Sequence, residues 1–135
     1  MDFVNQNILI TGAAEGLGLA ISKSFANTKA NLFLIDINYD KLIENNISNA
    51  NNIKCDLSNI NSIKNLINKF NEEKVHIDIL IHNAAVLVPK SFEKTTYKYW
   101  NEMTNISLNS GYLLSNYAWT NMKKNKKGII IFVSS

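Results

Sequence analysis

The sequence predicts an α/β fold: a doubly wound parallel sheet of five strands in the order 3-2-1-4-5, with helices on both faces. Three observations carry this expectation. Short apolar runs alternate with helix-like stretches five times along 135 residues. The runs are apolar at nearly every position, as strands buried on both faces are. The first run stops at a glycine-rich turn that leads directly into a helical pattern. Right-handed crossovers then favour the order given, and ligand is expected at the carboxyl ends of the strands, near the switch point between strands one and four.

The elements follow in order. Residues 7–11 read as a buried strand. The stretch Thr11-Gly12-Ala13-Ala14-Glu15-Gly16-Leu17-Gly18 is the turn, and a helix runs from about 16 to 28, with Leu17, Ala20, Ile21, Ser24 and Phe25 expected on one face. Residues 31–35 form a second strand that ends in Asp36. A helix over 39–48 has Leu42, Ile43 and Ile47 as its apolar positions. Residues 52–55 make a short third strand, followed by Asp56. Ser58 or Asn59 can cap the next helix, where Ile60, Ile63, Leu66, Ile67 and Phe70 keep three-and-four spacing. Residues 77–81 form the fourth strand, and a loop with the only proline, Pro89, follows. A long helical pattern runs from about Thr96 to Asn125, with 104–110 as the place where it can break. Gly128 stops it, and residues 129–133 form the fifth strand.

Composition bounds the rest. A hydrophobic content of 46% in a chain of this length supports one globular domain, 1–135, and argues against disorder. No apolar run approaches the ~18–20 residues that a membrane helix needs. The first residues lack a basic region leading into an apolar core, so no signal peptide is expected and the expected location is cytoplasmic. One cysteine, Cys55, cannot form an internal disulfide or build a metal site alone. All 14 basic residues are lysines. Without arginine, the bidentate contacts that read phosphate and guanine are missing, which speaks against a nucleic-acid partner. The cluster Lys123-Lys124-Asn125-Lys126-Lys127 reads as a solvated helix end, where lysine suits the negative dipole terminus. The abundant asparagines are scattered through periodic segments and read as compositional bias.

The turn at 11–18 holds three of the five glycines. Gly12 lets the chain turn. Gly16 and Gly18 keep side chains away, so that a phosphate-bearing ligand and the neighbouring strand can approach the helix N-terminus. A carboxylate at Asp36 can accept from both hydroxyls of an adenosine ribose, and it would repel a 2′-phosphate. No basic residue stands at 13–15 or at 37 to offset that, so NAD(H) is favoured over NADP(H). The bland alternative for Asp36 is a cap on the following helix. Asp56 can hydrogen-bond an adenine amino group or close a turn in Asp-Leu-Ser-Asn; the two roles are compatible. Small residues at Ala84 and Ala85 let the backbone pass beside a cofactor, and Asn83 can tie that loop to its neighbours. His82 reads as structural rather than catalytic. An ATP-type phosphate loop is disfavoured, because no Gly-Lys-Ser/Thr follows the glycines.

These motifs together resemble the short-chain dehydrogenase/reductase family. Thr11 to Gly18 matches its T-G-x-x-x-G-x-G, Asp36 its NAD-favouring acid, Cys55-Asp56-Leu57 its adenine contact, His82-Asn83-Ala84-Ala85 its N-N-A-G, and Gly128 to Ser135 its G-x-I-V-x-x-S-S strand. The resemblance covers essentially the whole chain. It implies a Rossmann-type fold and a nicotinamide-dependent oxidoreductase acting on a small carbonyl or alcohol. It also implies cofactor contacts at Gly12, Gly16, Leu17, Gly18, Asp36, Asp56, Leu57, Asn83, Ala84 and Ala85. Ser135 falls at the family's catalytic serine, and Ser107 at its catalytic asparagine. The family's tyrosine, with a lysine four residues on, has no counterpart: none of Tyr39, Tyr97, Tyr99, Tyr112 or Tyr117 is followed so. The chain is therefore expected to be the N-terminal cofactor half of a longer fold, inactive alone, with substrate engaged only when a C-terminal half is supplied. Homo-oligomers are possible in the full-length form, because 104–125 resembles the family's dimer-forming helix. A non-catalytic dinucleotide-binding or scaffold module is one alternative, and an unrelated nucleotide-binding α/β domain is another. The fifth strand is expected to be an edge with an exposed apolar face.

Overall fold

The computed structural model describes residues 3–86 and 90–134. Its strands are β1 (Asn7–Thr11), β2 (Asn31–Asp36), β3 (Ala50–Lys54), β4 (Ile79–His82) and β5 (Ile129–Phe132), and its α-helices are α1 (Gly16–Ala26), α2 (Tyr39–Glu44), α3 (Ile60–Glu72), α4 (Tyr97–Thr104) and α5 (Ser110–Asn125). The sheet is wholly parallel and ordered β3-β2-β1-β4-β5, so the predicted topology holds.

Strand alternation divides the core into two layers. Ile8, Ile10, Leu32, Leu34, Ile79 and Ile81 point to one face, where Ile21 and Phe25 of α1 and Leu42 of α2 cover them. Leu9, Ile35 and Leu80 point to the other face and meet Ile63, Leu66 and Phe70 of α3 and Leu114, Ala118 and Met122 of α5. Both faces of β1, β2 and β4 are covered, so these strands carry apolar residues at consecutive positions. Tyr117 Oη donates to the Val75 carbonyl and ties α5 to the loop before β4.

The structure corrects several sequence expectations. In α1 the face turned inward is Gly18, Ile21, Ser22 and Phe25, while Leu17, Ala20 and Ser24 are exposed. Helix packing against the sheet needs close approach at Gly18, and that rotates the expected face. Helix α2 stops at Glu44 rather than 48, because Asn46 takes a left-handed φ of 46°. Strand β3 begins at Ala50, two residues early. It pairs Ala50 with Leu32 and Asp36 with Lys54, and Asn51 and Asn52 join through the backbone, which side-chain polarity does not reveal. Strand β4 starts at Ile79, not at 77. The long helix does break, into α4, a π-helical turn (Asn105–Asn109) and α5. Helix α5 ends because Lys126 turns left-handed (φ 52°); Gly128 is instead a packing position, where a Cβ would overlap the Met122 side chain.

Candidate functional site

The glycine turn leaves β1 at its carboxyl end and enters α1 without a side-chain cap. Gly12 has φ +64°, and a Cβ there would sit 3.0 Å from the Ala84 Cα. Gly18 is in α1, yet a Cβ on it would overlap the Gly12 carbonyl oxygen and come within 2.7 Å of Asn83 Nδ2. Gly16 has φ +54° and faces open space, with nothing within 4 Å of a built Cβ. The three glycines thus do different work: Gly12 and Gly18 let the turn, α1 and the end of β4 close on one another, and Gly16 leaves the approach to the helix N-terminus clear.

Asn83 holds that junction. Its Nδ2 donates to the carbonyls of Thr11 and Gly12, both at 3.2 Å. The Asn83 and Ala84 N–H groups donate to Thr11 Oγ1 at 3.1 and 3.0 Å. Thr11 is fully buried, so its hydroxyl serves the chain and not solvent. His82 is buried beside it, with Nδ1 3.1 Å from Thr11 Oγ1 and Nε2 3.2 Å from the Ser107 carbonyl. Burial pushes the His82 pKa below its ordinary value, against the smaller upward pull of the Ser107 and Ile106 carbonyls. The expectation of a structural histidine fits this geometry.

Asp36 closes β2 at the same edge. Its Oδ2 accepts from the Ala14 N–H (3.0 Å) and its Oδ1 from the Asn38 N–H (2.9 Å). The cap of α2 is Asn38, which accepts from Lys41 N. Asp36 is therefore a turn residue fastened to the glycine loop, and each carboxylate oxygen keeps a further lone pair. Asp56 Oδ1 accepts from the Ser58 N–H and hydroxyl, which leaves Oδ2 without an intrachain bond among the described residues.

These groups surround one cleft of about 330 Å³ at the carboxyl edge of the sheet, lined by Gly12, Glu15, Asp36, Asp56, Asn83 and Ala84, among others. Leu57 and Ala85 also line it, whereas Gly16, Leu17 and Gly18 stand outside the lining. Sequence reasoning missed Ile37, Val86 and Ile106 as apolar walls. It also missed Lys41, whose Nζ meets Glu15 Oε2 at 2.5 Å across 26 residues of sequence. That contact lowers the Glu15 pKa and raises that of Lys41, first through the hydrogen bond and then through charge. No sequence signal links the two, because they meet only when α2 folds back beside the turn. Asn45 completes this clamp by donating to the Ala14 carbonyl at 2.8 Å. Cys55 also lines the cleft; burial raises its thiol pKa, which keeps it protonated.

The second cluster of expected residues is less complete. Ser107 lies in the π-helical turn, and its backbone carbonyl, not its side chain, makes the contact with His82. Asn105 is engaged elsewhere: its Nδ2 donates to the Ser58 carbonyl and its Oδ1 accepts from Asn109. Ser135 lies outside the described residues. Among the described residues no cluster of His, Cys, Asp or Glu could hold a metal ion, and no helix is long and apolar enough to cross a membrane.

The short chain dehydrogenase family profile matches residues 6–135. The chain belongs to the short-chain dehydrogenase family. Among its relatives, the 3-oxoacyl-[acyl-carrier-protein] reductase FabG of Buchnera aphidicola is 33% identical over 132 residues, which is 94% of this chain and 54% of the relative. Sorbose reductase sou1 of Schizosaccharomyces pombe is 29% identical over 136 residues, 94% of this chain and 53% of the relative. Among solved structures, 4-hydroxyisoleucine dehydrogenase complexed with NADH superposes with a TM-score of 0.83 at 26% identity, covering 93% of this chain and 54% of that one. A metagenomic short-chain oxidoreductase in complex with NADP superposes with a TM-score of 0.86 at 25% identity, covering 95% and 60%. The short-chain dehydrogenase chain described here thus spans about half the length of the curated relatives it matches. Its fold is the Rossmann-type α/β sheet of those structures.

Proposed function

We propose that residues 1–135 form the dinucleotide-binding domain of an oxidoreductase that moves a hydride between a nicotinamide cofactor, NAD(H) in preference to NADP(H), and a carbonyl or alcohol. The observation that carries this reading is the meeting of Asp36 with the glycine turn in one cleft, the Asp36 carboxylate bonded to the Ala14 N–H. The residues fit such a cofactor. Gly16 leaves the helix N-terminus open, which suits a pyrophosphate. Gly12, Leu17 and Gly18 complete that turn. Asp36 offers its remaining lone pairs to ribose hydroxyls. Asp56 and Leu57 offer an acceptor and an apolar wall to adenine, and Asn83, Ala84 and Ala85 flank the other end. When bound, the cofactor supplies the hydride or takes it up. The chain's own residues bind and orient it.

Carbonyl or alcohol chemistry also needs a proton donor and acceptor. By family position Ser135 would orient the substrate, and Ser107 would stand where a relay asparagine does. No Tyr-x-x-x-Lys occurs in the 135 residues. In this reading these residues supply binding, turnover requires that a C-terminal half be supplied, and a homo-oligomer is possible in the full-length form. The same absence favours a second reading, a dinucleotide-binding module without chemistry.

Cofactor fluorescence tests the first reading. The chain should bind NADH more tightly than NADPH. Asp36→Ala should weaken NADH by about a hundred-fold or more, since two hydrogen bonds to a charged group are lost, and should narrow the preference. Equal binding of both cofactors by the unaltered chain would overturn the NAD assignment. Turnover by the 135-residue chain, with any carbonyl substrate, would overturn the division of labour.

A further inference from the structure

His82 occupies a place where the family resemblance expects asparagine, and the cofactor reading gives it no task. Its surroundings are built around an imidazole. The ring packs edge-on against Phe132, with centroids 5.1 Å apart. A Cβ on Gly111 would come within 2.7 Å of His82 Cδ2, so glycine at 111 makes room for the ring. Among the described residues, the groups bonded to the ring or packed on it are uncharged: Thr11 from β1, Phe132 from β5, and Ser110, Gly111 and the Ile106 and Ser107 carbonyls from the π-helical turn and α5.

Hydrogen-bond accounting fixes the tautomer. The Thr11 hydroxyl has one proton and two lone pairs. Both lone pairs receive backbone donors, Asn83 N–H and Ala84 N–H. Its proton must therefore point at the remaining neighbour, His82 Nδ1, at 3.1 Å. Nδ1 is then an acceptor, the ring proton sits on Nε2, and Nε2–H donates to the Ser107 carbonyl at 3.2 Å. The π-helical turn supports the same arrangement. Ser110 N–H bonds to the Asn105 carbonyl, one residue further back than in an α-helix. The Ser110 hydroxyl takes its place by donating to the Ile106 carbonyl at 2.6 Å.

We propose that His82 is a positioning residue for the cofactor cleft: as the neutral Nε2–H tautomer it links the Thr11 hydroxyl, which holds the Asn83–Ala84 wall, to the Ser107 carbonyl of the π-helical turn. The proposal rests on the dinucleotide reading for its effect on binding, but not for the linkage itself. A second ring proton would put an N–H against Thr11 Oγ1, where both lone pairs are already used. Cofactor affinity should then be full above the ordinary histidine range and fall as pH drops below it. The direction follows because burial disfavours the charged ring, so the neutral form is the folded one.

The chain has two histidines, so a His76→Asn background leaves one imidazole to observe. Ring ¹⁵N NMR should show His82 with a bare Nδ1 and a protonated Nε2 at pH 8. On the same background, NADH affinity measured from pH 8 to pH 5 should be level and then fall on the acid side. His82→Asn retains an acceptor near Thr11 but cannot reach Ser107; His82→Gln reverses that. Each should weaken NADH binding roughly fivefold at pH 8, the scale of one lost hydrogen bond, and remove the acid fall, with the circular dichroism spectrum unchanged. A proton on Nδ1 would overturn the linkage, whether or not NADH binds. Parental affinity and an unchanged acid fall in both variants would overturn the positioning role. If the tautomer is as stated and NADH does not bind at any pH, the dinucleotide reading is what fails.

Discussion

Replacing Thr11 by valine removes one hydroxyl and keeps the side-chain volume, so it isolates a single hydrogen-bonding centre. That oxygen receives the N–H groups of Asn83 and Ala84 at 3.1 and 3.0 Å and sits 3.1 Å from His82 Nδ1. Thr11 has no exposed surface, so water cannot take the hydroxyl's place directly. A buried donor left without a partner costs about 1–3 kcal/mol. Two are orphaned here, but Asn83 and Ala84 are only partly buried and can recover some hydration. The expected loss is then about 2–3 kcal/mol, from the lower half of the range. For a chain of this size that lowers the melting temperature by roughly 10 °C. Thr11→Ser is the control. It keeps the hydroxyl and gives up one methyl, which costs about 1 kcal/mol. Urea unfolding followed by circular dichroism measures both, with the denaturant slope showing whether the unfolded reference has changed. The reasoning is refuted if Thr11→Val is as stable as Thr11→Ser, because the hydroxyl would then hold nothing that valine cannot replace.

Two further outcomes follow from the same geometry. Gly18→Ala should destabilise more than Gly16→Ala in urea unfolding, by about 1–3 kcal/mol, because its Cβ meets the Gly12 carbonyl while that of Gly16 meets nothing; the reverse order would show that the left-handed φ of Gly16, not the contact at Gly18, limits this turn. Strand β5 lies at the sheet edge with Ile129, Ile131 and Phe132 each 43–52% exposed, so the 135-residue chain should self-associate, and Ile131→Lys should shift it toward monomer in light scattering. A parent chain that is already monodisperse as a monomer would remove the edge as the cause.

Much of the fold could be read from local pattern. The alternation of apolar runs with three-and-four spacing points to the five strands and the main helices; the signal is fullest in β1, β2 and β4, which are buried on both faces, and weakest in β3, whose Asn51 and Asn52 pair through the backbone. Asn59 was legible as a cap for α3, and it accepts from Asn61 N and Ser62 N. Where local pattern misled, tertiary contact had overridden it. Leu17 looks like a core position of α1, but close packing at Gly18 turns it to solvent at 56% exposure. In α5, Leu114, Ala118 and Met122 are buried in the core with α3, Leu113 and Tyr117 pack against it, and Tyr112 and Trp119 are exposed, as is Leu108 in the π-helical turn.

The sequence by itself determined which chemical groups could meet at the carboxyl ends of the strands. Glycine spacing, an acid closing the second strand and a second acid after the third are all local facts, each set by what one turn or one strand end requires. Only the tertiary structure decided how those groups are held. The Glu15–Lys41 pair spans 26 residues, the Asp36–Ala14 bond 22, and the Thr11–His82 contact 71. The His82–Ser107 contact adds another 25. Such distances along the chain collapse only when parallel strands are brought side by side by their crossover helices. A hydrogen bond depends on the position of two atoms and not on their spacing in sequence. The imidazole at 82 shows the difference most plainly: as a residue it is a departure from a motif, and as a folded group its single proton and single lone pair are both assigned.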